Sequence, residues 1–200
     1  MENPNVTIQV QFDERKAAEV ASFFLSRGRR SLSRWRLNKF MYLAEREAWR
    51  RFGSPMCGGD YSSRQYGPVV SDVLDLTMET GETSGGEIWS KHFENVGPDV
   101  YLRKPAKVAF LSQGELDVLR SVFHDFGMMP KEKLTYHMHN KLLEYRQTTE
   151  RVKRWPIHVE DLLKVLGKSQ DEIDQIAKRL NEAREIEESY RRLESCGNTA

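Results

Sequence analysis

Apolar residues recur at helical spacing through most of this chain and at strand spacing in a few short places. Val6, Ile8, Val10 and Phe12 alternate with polar residues, the two-residue period of a half-buried strand. Asp13 is placed to cap a helix over residues 14–26, with Ala17, Val20, Ala21, Phe24 and Leu25 on one face. Gly28 ends it, as a residue that tolerates the left-handed conformation. Ser33 is placed to cap the next helix, 34–52, which Gly53 terminates. There Leu37, Phe40, Met41, Ala44, Ala48 and Phe52 follow the spacing of a buried stripe. Trp35, Tyr42 and Trp49 fall off that stripe, on a neighbouring strip of the same helix. Either the helix is central and covered on two sides, or these aromatics belong to a partner surface, where aromatic residues and Arg concentrate.

Residues 54–64 read as a loop, with Pro55, Gly58 and Gly59 breaking any helix. Pro68 suits a first helical turn and holds Gly67 extended, so the pattern predicts a helix over 69–80 that Gly81 ends. Residues 81–86 read as a surface loop. Residues 88–93 and 100–103 are expected to pair as a hairpin around Val96-Gly97-Pro98-Asp99. Ser112 and Glu115 have the spacing of a capping box, opening a helix that Gly127 closes. Pro130 begins another, through about Tyr145. A short helix over 157–166 ends at Gly167. Ser169 and Glu172 repeat the capping box ahead of a long amphipathic helix reaching about Leu193. Its apolar spacing mixes threes and fours without a sustained heptad, so it is not a committed coiled coil. It either packs on the body or meets a partner.

The charge balance narrows the choice of partner. Lys and Arg number 31 and Asp and Glu 30. A protein that relies on neutralising phosphates usually carries a basic excess, so nucleic acid is not favoured. Local basic clusters do exist at Arg27–Arg36 and Arg46–Arg51. Two widely separated cysteines, Cys57 and Cys196, make neither a disulfide framework nor a metal pair, and the cytoplasm is the expected compartment. The first residues lack the form of a secretion signal, and no apolar run is long enough to span a membrane. A chain of 200 residues with nine Phe, seven Tyr and four Trp can bury a core without metal or disulfide.

The search for chemistry finds little. His137 and His139 point roughly 200° apart on a helix, and HExxH spacing is absent. No serine elbow, phosphate-cradling loop or activated cysteine is recognisable. Carboxylate pairs such as Asp72 with Asp75 or Glu45 with Glu47 are explained by solvated helix faces. No catalytic, metal or cofactor residue is expected, and the protein is read as a binding module.

One stretch is more specific. Leu37-Asn38-Lys39-Phe40-Met41-Tyr42-Leu43-Ala44, then Gly53, Pro55 and Gly58, then Tyr66-Gly67-Pro68-Val69, resembles the Panacea domain, or SocA-like antitoxin domain. The order of these elements holds through Val73 and continues more weakly to about Tyr145. Leu134-Thr135-Tyr136-His137 fits the family's later region, although Tyr145 or Trp155 would have to stand where the family has a tryptophan. The resemblance implies a bacterial or prophage protein that neutralises a co-encoded toxin by direct contact. Some members hand their toxin to a protease. It also sets expected bounds, with the antitoxin domain over 1–150 and a helical extension over 151–200.

Residue chemistry and resemblance together give a mainly α-helical (α+β) protein of about seven helices with a small antiparallel hairpin. The partner-binding candidates are Trp35, Trp49, Tyr61, Arg64, Tyr66, Gly67 and Pro68. For Tyr66-Gly67-Pro68 the plain alternative is a turn that only redirects the chain. The competing function is a DNA-binding regulator of a phage or toxin–antitoxin operon, using the two basic clusters.

Overall fold

The helix that Ser33 opens is the axis of the molecule. A computed structural model describes residues 7–78 and 86–197. In chain order the elements are α1 (Glu14–Arg27), β1 (Ser31–Ser33), α2 (Arg34–Phe52), β2 (Tyr61–Arg64), β3 (Gly67–Val70) and α3 (Ser71–Thr77). There follow α4 (Glu87–His92), β4 (Phe93–Val96), β5 (Asp99–Leu102), α5 (Gln113–Phe126) and α6 (Lys131–Asn140). The last are β6 (Trp155–Ile157), α7 (Val159–Val165) and α8 (Gln170–Gly197). The fold is mainly α-helical, with two small antiparallel sheets.

Helix α2 is buried on nearly every side. Leu37, Phe40, Met41, Ala44 and Ala48 of the expected stripe are buried and Phe52 is exposed, while Asn38, Lys39, Tyr42, Leu43, Glu45 and Trp49 are buried as well. A helix covered all round belongs to a core. Helices α1, α3, α5 and α7 and strands β1, β3 and β5 all pack against it. Its ends follow the sequence: Ser33 Oγ accepts from the Arg36 N–H, and Gly53 closes the helix at φ 58°.

One sheet has the order β1-β5-β4 and the other β3-β2-β6. In the second, Tyr61 faces Val70 on one side and Ile157 on the other, so β2 is the central strand. Two residues, Gln65 and Tyr66, turn β2 into β3, with Arg64 opposite Gly67. The last third of the chain therefore completes a sheet begun near residue 61.

Several local expectations are corrected by this arrangement. Residues 7–12 form no strand, and Val6 lies outside the described residues. Gly28 is not left-handed (φ −89°); Arg29 and Arg30 take positive φ instead. A Cβ at position 28 would come within 2.6 Å of the Leu32 side chain, which would have to shift. Pro68 sits in β3 rather than a helix, and α3 is confined to 71–77. Residues 87–92 are helical, so the expected hairpin is displaced to β4 and β5 around the same Gly97-Pro98 turn. Helix α6 stops at Asn140, well short of Tyr145. The loop expected over 81–86 lies outside the described residues except for Gly86. Both capping boxes form: Ser112 with Glu115, and Ser169 with Glu172. Along α8, Ile173, Ile176 and Ala177 are buried, whereas Ile186 and Tyr190 are exposed.

Candidate functional site

The site rests on a buried carboxylate that sequence reading placed on a solvated flank. Glu45 lies wholly inside and accepts from the N–H groups of Met56, Cys57 and Gly58 at 2.9, 2.6 and 3.1 Å. The Cys57 thiol and the Tyr61 hydroxyl also donate to it, at 2.8 and 3.0 Å. Burial raises the Glu45 carboxyl above its ordinary range, and the bonds from Cys57, Met56 and Tyr61 pull it part of the way back. In effect one side chain of α2 ties down the loop that delivers the chain into β2. Gly58 belongs to that loop because a Cβ would meet the Gln11 carbonyl oxygen at 2.4 Å, with φ at +72°.

Two of the partner-binding candidates belong to this interior. Trp49 is fully buried and its indole N–H donates to Tyr61 Oη at 2.9 Å; Tyr61 is 3% exposed. Side chains so enclosed hold the fold and offer nothing to a partner surface. Helix α2 is covered on the Tyr42–Trp49 side by β2, where Tyr42 and Tyr61 meet edge to face at 6.1 Å.

At the far end of β2 the chain turns towards solvent. Gly67 adopts φ +101°, and a Cβ there would lie 2.7 Å from Met138 Cβ. Strand β3 is a sheet edge, and its outward carbonyls need partners. Lys39 supplies them: its buried Nζ donates to the Gly67 and Pro68 oxygens at 2.8 and 2.9 Å. Burial lowers the Lys39 ammonium to about 7, because neutral carbonyls replace water around it.

This arrangement sets a pH signature. Between about pH 7 and 10.5 the unfolded chain keeps the Lys39 proton that the folded chain has lost, so this group makes stability rise with pH in that window. Urea titrations at pH 7 and pH 9 are expected to show the native chain gaining about 2 kcal/mol relative to Lys39→Met, whose own stability lacks this component. An identical pH response in the two proteins would show that Lys39 stays protonated throughout.

Around this turn lies a cleft of about 1320 Å³. Its walls come from the start of α2 (Trp35, Asn38, Lys39), the β2–β3 turn (Arg64, Tyr66), α6 (Lys131, His139) and the irregular segment 145–153. That segment is held in place locally. The Arg146 N–H donates to Ser63 Oγ at 3.0 Å, the Arg146 guanidinium stacks 3.5 Å over Trp155, and the Trp155 indole N–H donates to the Gln147 carbonyl. Thus β6, which carries Trp155, positions one wall. Within the cleft His139 stacks flat on Tyr145 at 4.5 Å, and Lys131 lies 5.6 Å from the Trp35 ring centre. Burial, with Lys39 close by, lowers the His139 pKa, and burial raises that of Tyr145.

The sequence candidates therefore divide. Trp35, Arg64 and Tyr66 converge on this cleft, Tyr66 being 52% exposed. Gly67 and Pro68 are buried beneath and shape the turn. His139 faces the cleft while His137 packs against Phe126, as their helical separation requires. Sequence reading missed Asn38, Lys39 and Tyr145; two polar residues inside an otherwise apolar run, Asn38-Lys39, were the available signal.

Comparison with known families gives one match: the model described as antitoxin SocA-like, Panacea domain, fits residues 37–143, just over half of the chain. The chain belongs to this family. No curated protein and no solved structure matches it. The family region contributes the floor of the cleft, from Asn38 and Lys39 through Arg64, Tyr66 and His139. The rim formed by Trp35 and by residues 145–153 lies outside the matched span. Among the described residues no group of three or more His, Cys, Asp or Glu side chains is placed to hold a metal ion. No described helix is long and apolar enough to cross a membrane.

Proposed function

We propose that this protein is an antitoxin that neutralises a co-encoded toxin by direct contact in the cytoplasm, acting by binding and not by catalysis. Family membership supports an antitoxin function in general. The observation that carries the finer reading is the convergence of Trp35, Arg64 and Tyr66, from separate elements, on one cleft. Tryptophan, tyrosine and arginine are the residues most enriched where binding energy concentrates.

The basic clusters favour this reading over a DNA-binding regulator, because their guanidinium groups are largely engaged within the chain. Arg46 pairs with Glu144 at 2.7 Å, Arg50 and Arg51 share Glu47, and Arg36 donates to the Met129 carbonyl at 2.9 Å. Arg30 donates to the carbonyls of Leu102 and Arg103.

Expression of the adjacent reading frame alone is expected to arrest growth, and co-expression of this chain to restore it, with the two proteins co-purifying. A harmless neighbour that is not retained by this protein would sink the reading. The amount of toxin in rescued cells separates two modes: constant under occlusion, reduced under delivery to a protease.

A further inference from the structure

The cleft gathers buried polar atoms without partners and cations that pair with no carboxylate of the chain itself. Seven buried side-chain N and O atoms among the described residues lack a hydrogen-bond partner, and five belong to residues lining this cleft. They are Trp35 Nε1, Asn38 Oδ1, Arg64 Nε, His139 Nε2 and Tyr145 Oη. Folded proteins leave few such atoms, so their gathering at one place calls for a cause. Of the five, the Trp35 indole and the Arg64 Nε can only donate, and Asn38 Oδ1 can only accept. The charges agree. Arg34, Arg64, Lys131 and Lys153 line the cleft against a single carboxylate, Glu150. None of these four cations forms an ion pair with a described residue. Elsewhere on the molecule carboxylates are matched closely to cations, as where Glu47 serves both Arg50 and Arg51. With the whole chain near neutrality, the cleft is a local excess of positive charge.

From this we infer that the cleft binds an acidic polypeptide segment of the partner protein, whose Asp and Glu carboxylates are received by Arg64, Lys131 and Lys153 and whose backbone runs between Trp35 and Tyr66. The inference rests on the antitoxin reading and names the chemistry of the toxin's contact segment. A polypeptide fits better than a small anion for two reasons. At about 1320 Å³ the cleft exceeds the roughly 300–1,000 Å³ of small-molecule sites. Its cations are also dispersed over the start of α2, the β2–β3 turn, α6 and the 145–153 segment, instead of converging on one point. Guanidinium–carboxylate pairs formed there are charge-assisted, and the surrounding positive field speeds encounter with an acidic partner. The unpartnered atoms are occluded from water, so the incoming segment reaches them through small side-chain rotations.

The probe is a blocked hexaglutamate peptide, with hexalysine and inorganic pyrophosphate as comparisons, titrated into the ¹⁵N-labelled full chain at physiological ionic strength. Hexaglutamate is expected to shift the Trp35 indole N–H resonance saturably, assigned by its loss in Trp35→Phe, while hexalysine leaves it unmoved. The double variant Lys131→Glu/Lys153→Glu is expected to weaken the peptide at least tenfold with an unchanged melting temperature, since both side chains are exposed. In the co-expression assay the same variant is expected to lose growth rescue. Three outcomes overturn the inference: no saturable shift with hexaglutamate, a shift with pyrophosphate alone, or full rescue by a double variant that no longer binds the peptide. The last leaves the antitoxin reading standing and removes the cleft from it. Peptide binding without any growth rescue by the native chain does the reverse, supporting the chemistry of the cleft and removing the toxin.

Discussion

Replacing Trp49 with alanine is expected to lower the stability of the protein by about 3–5 kcal/mol, the usual effect of truncating a large buried aromatic. For a chain of this size that is a fall of roughly 6–20 °C in melting temperature. Two effects combine. The indole fills space at the centre of the molecule, fully buried between α2 and its neighbours, and the surrounding side chains can collapse only partly into the gap. Its N–H also donates to Tyr61 Oη, which in turn donates to Glu45, so the substitution removes the outer member of a buried polar chain. The measurement is thermal and urea unfolding followed by circular dichroism. Partner binding below the melting transition is expected to survive, because Trp49 faces no solvent. A variant of native stability that has lost its partner would instead return Trp49 to the interface.

The Glu45→Ala variant is expected to be hit at least as hard, by about 3 kcal/mol or more. Five donors converge on that carboxylate: three consecutive backbone N–H groups, a thiol and a phenol. Each buried donor left without an acceptor costs about 1–3 kcal/mol, and the loop can recover part of this only by opening to water. Glu45→Gln keeps one acceptor but turns an amide NH₂ towards groups that are themselves donors, so it is expected to rescue little. Hydrogen exchange should locate the damage, with protection lost first at the N–H groups of residues 56–58. Because Tyr61 links the two side chains, the double variant Trp49→Ala/Glu45→Ala is expected to cost less than the sum of the single changes. Exact additivity would show that the chain of hydrogen bonds carries no coupling.

These two residues also show what could and could not be read from the sequence. The extent of α2 was legible because its signals are local: Ser33 before it, Gly53 after it and an apolar stripe between. The capping boxes at Ser112 and Ser169 were legible for the same reason. Strands β1, β2 and β6 were not, since three or four residues carry little periodicity and each is fixed by a partner distant in sequence, as Tyr61 is by Ile157. The fate of the off-stripe aromatics turned on such distant partners too. Trp35 and Trp49 occupy the same helical strip, yet β2 covers one and leaves the other at the mouth of a cleft. Glu45 looked like one charge among many beside Arg46 and Glu47. Only the folded loop at 56–58 reveals that it faces inward. For the candidate site, Arg64 and Tyr66 were legible through the Tyr-Gly-Pro turn, whereas Tyr145 needed the third dimension.

The pairing of β2 with β6 has a consequence for the order of events at the ribosome. Residues 61–64 wait for residues 155–157 before their sheet can close. At synthesis rates of roughly 5–20 residues per second, that delay is about 5–20 s. Until then the 145–153 wall has no anchor at Trp155, and the cleft has a floor without one of its sides. If the cleft receives the partner as proposed, a nascent or prematurely terminated chain lacks a finished receptor, and binding competence arrives as a late step of biosynthesis.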